Sequence, residues 1–189
     1  MYLAAGFQRD TPLPVPGVEG PGVVPALGLL DRARRGQAVA IGKHPVVIGG
    51  GDTAMDAART AQRLVGAPVT ILYRRTRPEM PAAPEELEGA LEEGNCLEEL
   101  VTPVEILRDG ANIVGVRCVR NELGAPGPDG RRPPRAIPGS EFVVPCDTVI
   151  VAVGQLPELA FLDGSRVMRH ANGGVMVDGA TGCAGPDRV

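Results

Sequence analysis

One stretch constrains the fold of this chain more than any other: His44-Pro45-Val46-Val47-Ile48-Gly49-Gly50-Gly51-Asp52-Thr53-Ala54-Met55-Asp56. An apolar strand runs into a glycine turn and then into a helix. Gly49, Gly51 and Ala54 fall on the G-x-G-x-x-G/A spacing. In that pattern the first glycine permits a tight turn and the second lets the backbone approach a pyrophosphate. The small third residue lets helix and strand pack closely. The open N–H groups of the helix start, aided by the helix dipole, then face the phosphates. Gly50, Asp52 and Thr53 lie within the same turn and stand with it as dinucleotide-binding candidates. A lone triplet is a weak signal in a chain with 26 glycines, and a plain strand–turn–helix packing unit would share it. The flanks favour the dinucleotide, because Ala54, Ala57, Ala58, Ala61, Leu64 and Val65 recur at helical spacing. That spacing predicts a small-residue face suited to lie on a sheet.

Gly66 and Pro68 break the helix, and Val69-Thr70-Ile71-Leu72-Tyr73 reads as the second strand. Units that select NAD place Asp or Glu about 20 residues beyond the glycines, where it bonds the ribose 2′-hydroxyl. This chain has Arg74 and Arg75 there, with Arg77 next. A guanidinium offers a planar fork of donors suited to a phosphate, whereas a carboxylate would repel one. The pattern favours NADP(H) over NAD(H). Surface arginines paired with nearby glutamates are the alternative.

The rest of the chain reads as follows. Met1–Ala5 is expected to be a strand ended by Gly6, and Phe7–Gly22 a Pro/Gly-rich connection between domains. Ala26–Arg35 is a short helix that Gly36 terminates, and Arg32, Arg34 and Arg35 on it suit a solvated face better than a phosphate patch. Pro84–Glu93 is a second helix, with Pro84 in its first turn, Glu85 and Glu86 matched to its dipole, and Gly94 as its stop. Short strands are expected at Leu97–Val101, Val104–Leu107, Ile113–Val119 and Glu141–Val144, with an Asp109-Gly110 hairpin turn between the second and third. Asn121–Ser140 is expected to be a polar loop. Val149–Gly154 is a continuous apolar run, as in a strand buried on both faces of a parallel sheet. Gly154 and Gln155 then fall at its C-terminal end, where open α/β sheets bind their ligands. Gly173–Asp178 reads as a turn into one more strand.

Composition closes off other classes. Glycine and proline, 26 and 19 of 189 residues, reach about twice the average usage. They are scattered between Val, Leu and Ile runs, which means many turns rather than one disordered tract. A formal net charge of −4 gives no reason to expect nucleic acid or an anionic membrane as partner. No apolar run approaches a bilayer span, and the first residues lack the basic start of a signal peptide, so cytoplasm is the expected location. Cys96, Cys118, Cys146 and Cys183 form no C-x-x-C pair, so the expectation is four reduced thiols, no metal and no redox-active dithiol.

Two segments together, Gly49-Gly50-Gly51-Asp52-Thr53-Ala54-Met55-Asp56 and Tyr73-Arg74-Arg75-Thr76-Arg77-Pro78-Glu79-Met80-Pro81-Ala82, closely resemble the NADPH-dependent glutamate synthase small-subunit family and related FAD-dependent oxidoreductases. Leu3-Ala4-Ala5-Gly6 resembles the family's segment leaving the FAD domain, with Ala5 in place of its Thr, and Asp147–Gln155 the segment returning to it. The resemblance implies an α/β fold. A Rossmann-like NAD(P)-binding domain with a central parallel sheet and a small antiparallel β meander would be flanked by partial FAD-domain segments. It implies domain limits of 1–36 (FAD-domain edge and crossover), 37–155 (NADP(H) domain) and 156–189 (return into the FAD domain). It further implies an enzyme in which NADPH passes hydride to FAD and electrons continue to an iron–sulfur domain or partner subunit. No catalytic side chain is expected, because the cofactors carry the chemistry. The family's N-terminal FAD glycine fingerprint and upstream cysteine-rich cluster segment are not found, and the sequence ends where its Gly-Gly-Asp flavin motif would be expected, so the chain is expected to be a portion of such a protein. The alternative is a stand-alone NADP(H)-binding module without redox turnover.

Overall fold

The structure is a computed structural model that describes residues 3–128, 130–170 and 173–184. Its centre is a parallel sheet of five strands in the order β2-β10-β3-β4-β5. These are β2 (Val23–Pro25), β3 (Pro45–Gly49), β4 (Thr70–Leu72), β5 (Cys96–Glu98) and β10 (Thr148–Ala152). Side chains alternate across a strand, so a strand packed on both faces must be apolar throughout. In β3, Val47 packs on one side, and Val46 and Ile48 pack on the other. In β10, Ile150 is divided from Val149 and Val151 in the same way.

Helices α1 (Ala26–Arg34), α2 (Asp52–Val65) and α3 (Pro84–Glu92) cover the first side. Helix α2 is buried through Ala54, Met55, Ala57, Ala58 and Ala61, and its alanines bring it close to the sheet as the sequence predicts. Leu64 departs from that prediction and is 49% exposed. At about 100° per residue it falls on the flank of the stripe that Ala54, Ala58 and Ala61 define. Gly66, with φ of 72°, ends the helix by donating to the Gln62 carbonyl. Arg59 joins α2 to α3 through Glu86 at 2.9 Å and Glu93 at 2.7 Å.

The second side carries an antiparallel meander of β6 (Val101–Asp109), β7 (Asn112–Leu123), β8 (Pro134–Ala136) and β9 (Phe142–Val144). Val101, Ile106, Ile113, Val116 and Cys118 face the sheet. A two-stranded pair, β1 (Arg9–Asp10) with β11 (Gln155–Leu156), completes the described strands.

Several sequence expectations need correction. Leu3–Ala5 is not a strand, while Met1 and Tyr2 lie outside the described residues. Leu97–Val101 is not one strand: β5 ends at Glu98, and β6 begins at Val101 in the other sheet. The break lies at Leu100, whose φ of 58° makes it the one non-glycine in the left-handed region among the described residues. A β pattern read locally cannot see a chain leaving one sheet for another. Asn121–Ser140 is only partly loop, because β7 continues to Leu123 and pairs with Pro134–Ala136. Gly173–Asp178 makes a single bridge, Val175 to Arg169, rather than a strand. Val23–Arg34 forms the edge strand and a helix of the five-stranded unit. No described helix is long and apolar enough to cross a membrane.

Candidate functional site

Strands β3, β4 and β10 are parallel neighbours, so their C-terminal ends lie along one edge, with Gly49 opposite Ala152. Every sequence candidate falls on that edge or one turn beyond it. The three glycines have different reasons to be glycine. Gly49 has a φ of 155°, and a Cβ on it would meet the Ala152 carbonyl oxygen at 2.3 Å. A Cβ on Gly50 would meet the Tyr73 ring at 2.3 Å. Gly51 caps α2 in an extended conformation, and its nearest neighbour would be Pro81 Cγ at 3.8 Å. Packing therefore accounts for Gly49 and Gly50. The open side of Gly51 leaves room for a ligand backbone to approach.

The start of α2 carries the donors. Ala54 and Met55 N–H both point to the Gly51 carbonyl, at 2.8 and 3.3 Å. The N–H groups of Asp52 and Thr53 have no acceptor among the described residues. Such open donors at a helix start form an anion site. The Asp52 carboxylate is turned aside, accepting from Ala83 N–H at 2.7 Å, and so fastens the Pro81–Ala83 segment beside the turn. Ala82 N–H donates to the Gly50 carbonyl at 3.1 Å and reinforces that docking. Gln155 Nε2 donates to Thr53 Oγ1 at 2.8 Å, so the end of β10 closes on the helix start. Gly154, with φ of 137°, turns the chain between them.

The arginines divide. Arg75, beyond the end of β4, lines a hollow of ≈ 250 Å³ with Pro78, Glu79, Met80, Pro81 and Arg131. Pro81 also neighbours Gly51, so the hollow adjoins the glycine turn. Arg74 is exposed, and its guanidinium has no hydrogen bond or ion pair among the described residues. Arg77 pairs with Glu88 of α3 at 3.5 Å and does not line the hollow. Burial would raise the Glu79 carboxyl, but hydrogen bonds from Arg132 and Thr76 outweigh it and hold the group below the usual carboxylate range. Glu79 therefore stays charged and already matched.

Asn121 is a residue sequence reasoning missed. Buried at the start of the supposed loop, its Nδ2 donates to the Arg74 carbonyl at 2.9 Å and to Thr102 Oγ1 at 2.7 Å. Leu100 N–H donates to the Arg75 carbonyl and Val101 N–H to Tyr73, so the turn between sheets clamps the arginine backbone. No local motif announces this. A larger concavity of ≈ 760 Å³ lies between Gln8–Asp10 and α1. It has no glycine turn, and three of its charged groups are spoken for: Arg35 and Asp31 by each other and Asp10 by the Leu27 N–H.

These elements define a Rossmann-like α/β unit with its glycine turn at the carboxyl edge of a parallel sheet. The chain belongs to the pyridine nucleotide-disulphide oxidoreductase family, whose profile matches residues 2–183. It is 46% identical over 169 residues to the NADPH-Fe(3+) oxidoreductase subunit beta of Geobacter sulfurreducens, covering 86% of this chain and 25% of the relative. It is 39% identical over 170 residues to the glutamate synthase [NADPH] small chain of Azospirillum brasilense, covering 84% and 35%. The likeness to glutamate synthase small subunits read from the sequence is thus borne out. The chain spans about a quarter to a third of the length of these relatives. In fold it is similar to Mycobacterium tuberculosis FprA, solved in complex with NADPH, with a TM-score of 0.68 and 19% identity. That match covers 95% of this chain and 52% of the other.

Proposed function

We propose that this chain is the NADP(H)-binding portion of a flavoprotein oxidoreductase of the glutamate synthase small-subunit kind. One observation carries the reading: an arginine-lined hollow at the end of β4 adjoins a glycine turn whose helix N–H groups are open. The donor set fits the group. Asp52 and Thr53 N–H suit the pyrophosphate, Gly51 leaves it room, and Arg74 and Arg75 suit a 2′-phosphate. Bound NADPH supplies the hydride that a flavin accepts. The chain's own residues bind and orient: Gln155 braces the helix start, and Asn121 holds the arginine segment.

Magnitude separates the roles. A helix dipole contributes about 0.3–1 kcal/mol to a nearby anion, but the pyrophosphate is common to both dinucleotides, so it cannot choose between them. A charge-assisted hydrogen bond contributes about 1.5–3 kcal/mol, and the arginines meet a phosphate that only NADPH carries. In the whole protein, FAD and an iron–sulfur domain or partner subunit would take the electrons onward. The domain limits 1–36, 37–155 and 156–189 belong to this proposal, with the packing of Val23–Arg34 favouring its inclusion in the nucleotide unit. The four free thiols fit a cytoplasmic setting.

The test is calorimetric titration of the chain with NADPH, NADH, 2′,5′-ADP and 5′-AMP. Tighter binding of the two phosphorylated ligands supports the reading, and tighter NADH binding rejects it. The second reading, a stand-alone NADP(H)-binding module without turnover, shares the same site. Extending the reading frame on both sides of the chain separates them: a FAD glycine fingerprint upstream with a Gly-Gly-Asp motif downstream supports the first reading, and open frames without them support the second.

A further inference from the structure

The chain enters the five-stranded unit through β1 and leaves it through β11. These two strands pair with each other, Arg9 opposite Leu156 and Asp10 opposite Gln155. Backbone bonds extend the ribbon at both ends, from Gln8 N–H to the Leu156 carbonyl at 3.2 Å and from Thr11 N–H to the Gly154 carbonyl at 2.9 Å. Directly opposed residues of an antiparallel pair present their side chains on one face, and here each of the two reaches a different helix start. The Asp10 carboxylate accepts from Leu27 N–H at the start of α1, with both oxygens at 3.2 Å. Gln155 Nε2 donates to Thr53 Oγ1 at the start of α2. Two side chains therefore hold the ribbon to the unit, and one of them ends beside the glycine turn.

A hydroxyl accepts through its oxygen and donates its single proton. Gln155 occupies the accepting side of Thr53, and the hydroxyl proton has no acceptor among the described residues. The Asp52 and Thr53 N–H groups beside it are open as well. We propose that the Thr53 hydroxyl links the dinucleotide to the ribbon: it accepts from Gln155 and donates to the pyrophosphate, so that binding fastens β1 and β11 to the nucleotide unit. The proposal rests on the NADP(H) reading above for the place of the pyrophosphate. A hydroxyl that donates to an anion becomes a better acceptor, so the two bonds reinforce each other. The coupling is reciprocal: whatever the ligand adds to the hold on the ribbon, the held ribbon returns as affinity. The pyrophosphate is common to both dinucleotides, so the effect does not distinguish NADPH from NADH.

The experiment titrates NADPH and NADH into the chain and into its Thr53→Val, Thr53→Ser and Thr53→Val/Gln155→Leu variants. It also follows amide hydrogen exchange at residues 8–11 and 154–156, with and without saturating NADPH. Valine keeps the shape of threonine and serine keeps its hydroxyl, so the thermal midpoints of the single variants should lie close to wild type. Thr53→Val should weaken both dinucleotides about tenfold, as expected of a hydrogen bond to a charged group, and Thr53→Ser should restore most of the loss. Adding Gln155→Leu to Thr53→Val should produce little further loss, because both act through one hydroxyl. Saturating NADPH should slow exchange in the ribbon about threefold in the wild type and leave it unchanged in Thr53→Val. Full affinity in Thr53→Val, equal losses in Thr53→Val and Thr53→Ser, or equal ribbon protection in wild type and Thr53→Val would each overturn the proposal and leave the NADP(H) reading standing. A wild type that binds neither dinucleotide rejects that reading itself.

Discussion

The Gln155 side-chain amide donates to Thr53 Oγ1 at 2.8 Å, joining two residues 102 positions apart. One stands just past the carboxyl end of β10 and the other in the first turn of α2. The contact ties the end of β10 to the helix start whose Asp52 and Thr53 N–H groups are open. It also sits on the part of the site that NADPH and NADH would share.

Replacing Gln155 by Leu should therefore weaken both dinucleotides alike. A net hydrogen bond contributes about 0.5–1.5 kcal/mol, which corresponds to roughly a twofold to tenfold loss of affinity. Titration of each dinucleotide into the variant measures it. A loss confined to NADPH would move Gln155 to the 2′-phosphate end.

The glycines should separate folding from binding. Gly50→Ala places a methyl group 2.3 Å from the Tyr73 ring, and overpacking of this kind costs about 1–3 kcal/mol. Its thermal midpoint should fall by several degrees. Gly51→Ala has no close neighbour and an extended backbone, so it should unfold close to wild type while dinucleotide binding drops. Unchanged binding by a folded Gly51→Ala protein would show that no ligand backbone passes there.

Arg74→Ala should weaken NADPH binding roughly tenfold, about 1.4 kcal/mol, and leave NADH almost unchanged. Solvent exposure at this rim keeps the effect near the lower end of the charge-assisted range. Arg75→Ala should do at least as much, because Arg75 lines the hollow and also holds the Arg132 carbonyl. Arg77→Ala should do least, its guanidinium being directed to Glu88. Equal losses for NADPH and NADH in Arg74→Ala would mean support of the fold or the pyrophosphate instead.

The thiols give a pH dependence. Burial pushes Cys118 up to about 12, with the Arg120 charge opposing, and burial with the Asp147 charge and Cys118 pushes Cys146 up to about 12. Both groups are neutral in the fold at pH values where the unfolded chain ionises them. Their contribution to stability is complete below pH 9.0, the ordinary value of a free thiol, and is lost as pH rises from there toward 12. The urea midpoint of the wild type should fall between pH 8.5 and about 10.5, and more steeply than that of a Cys118→Ala/Cys146→Ala variant. Parallel pH slopes would contradict this. In native protein at neutral pH a thiol reagent should modify the exposed Cys96 first and leave Cys118 and Cys146 until unfolding.

Much of the site was legible because its signals are local. A glycine turn, a helix start and an apolar strand are specified by residues adjacent in sequence, through backbone freedom and side-chain period. The failures came where chain segments change sheets. Leu100 turns the chain from β5 into β6 with nothing in Leu97–Val101 to mark it. Asn121 looked like the start of a polar loop, yet it is a buried residue of β7 that fixes the arginine segment.

The sequence by itself determined the Rossmann-like unit, the position of its glycine turn and the presence of arginines one strand later. Only the tertiary structure decided which arginine enters the hollow. Arg74 and Arg75 are neighbours beyond β4, yet Arg75 lines the hollow while Arg74 is exposed. The occupant of each side depends on β6 and on the β7–β8 tip, which arrive from 30 to 60 residues downstream by roughly estimated chain distance. That choice is made by packing and by competition for partners: Glu88 takes Arg77, Glu79 takes Arg132, and Arg75 lines the hollow.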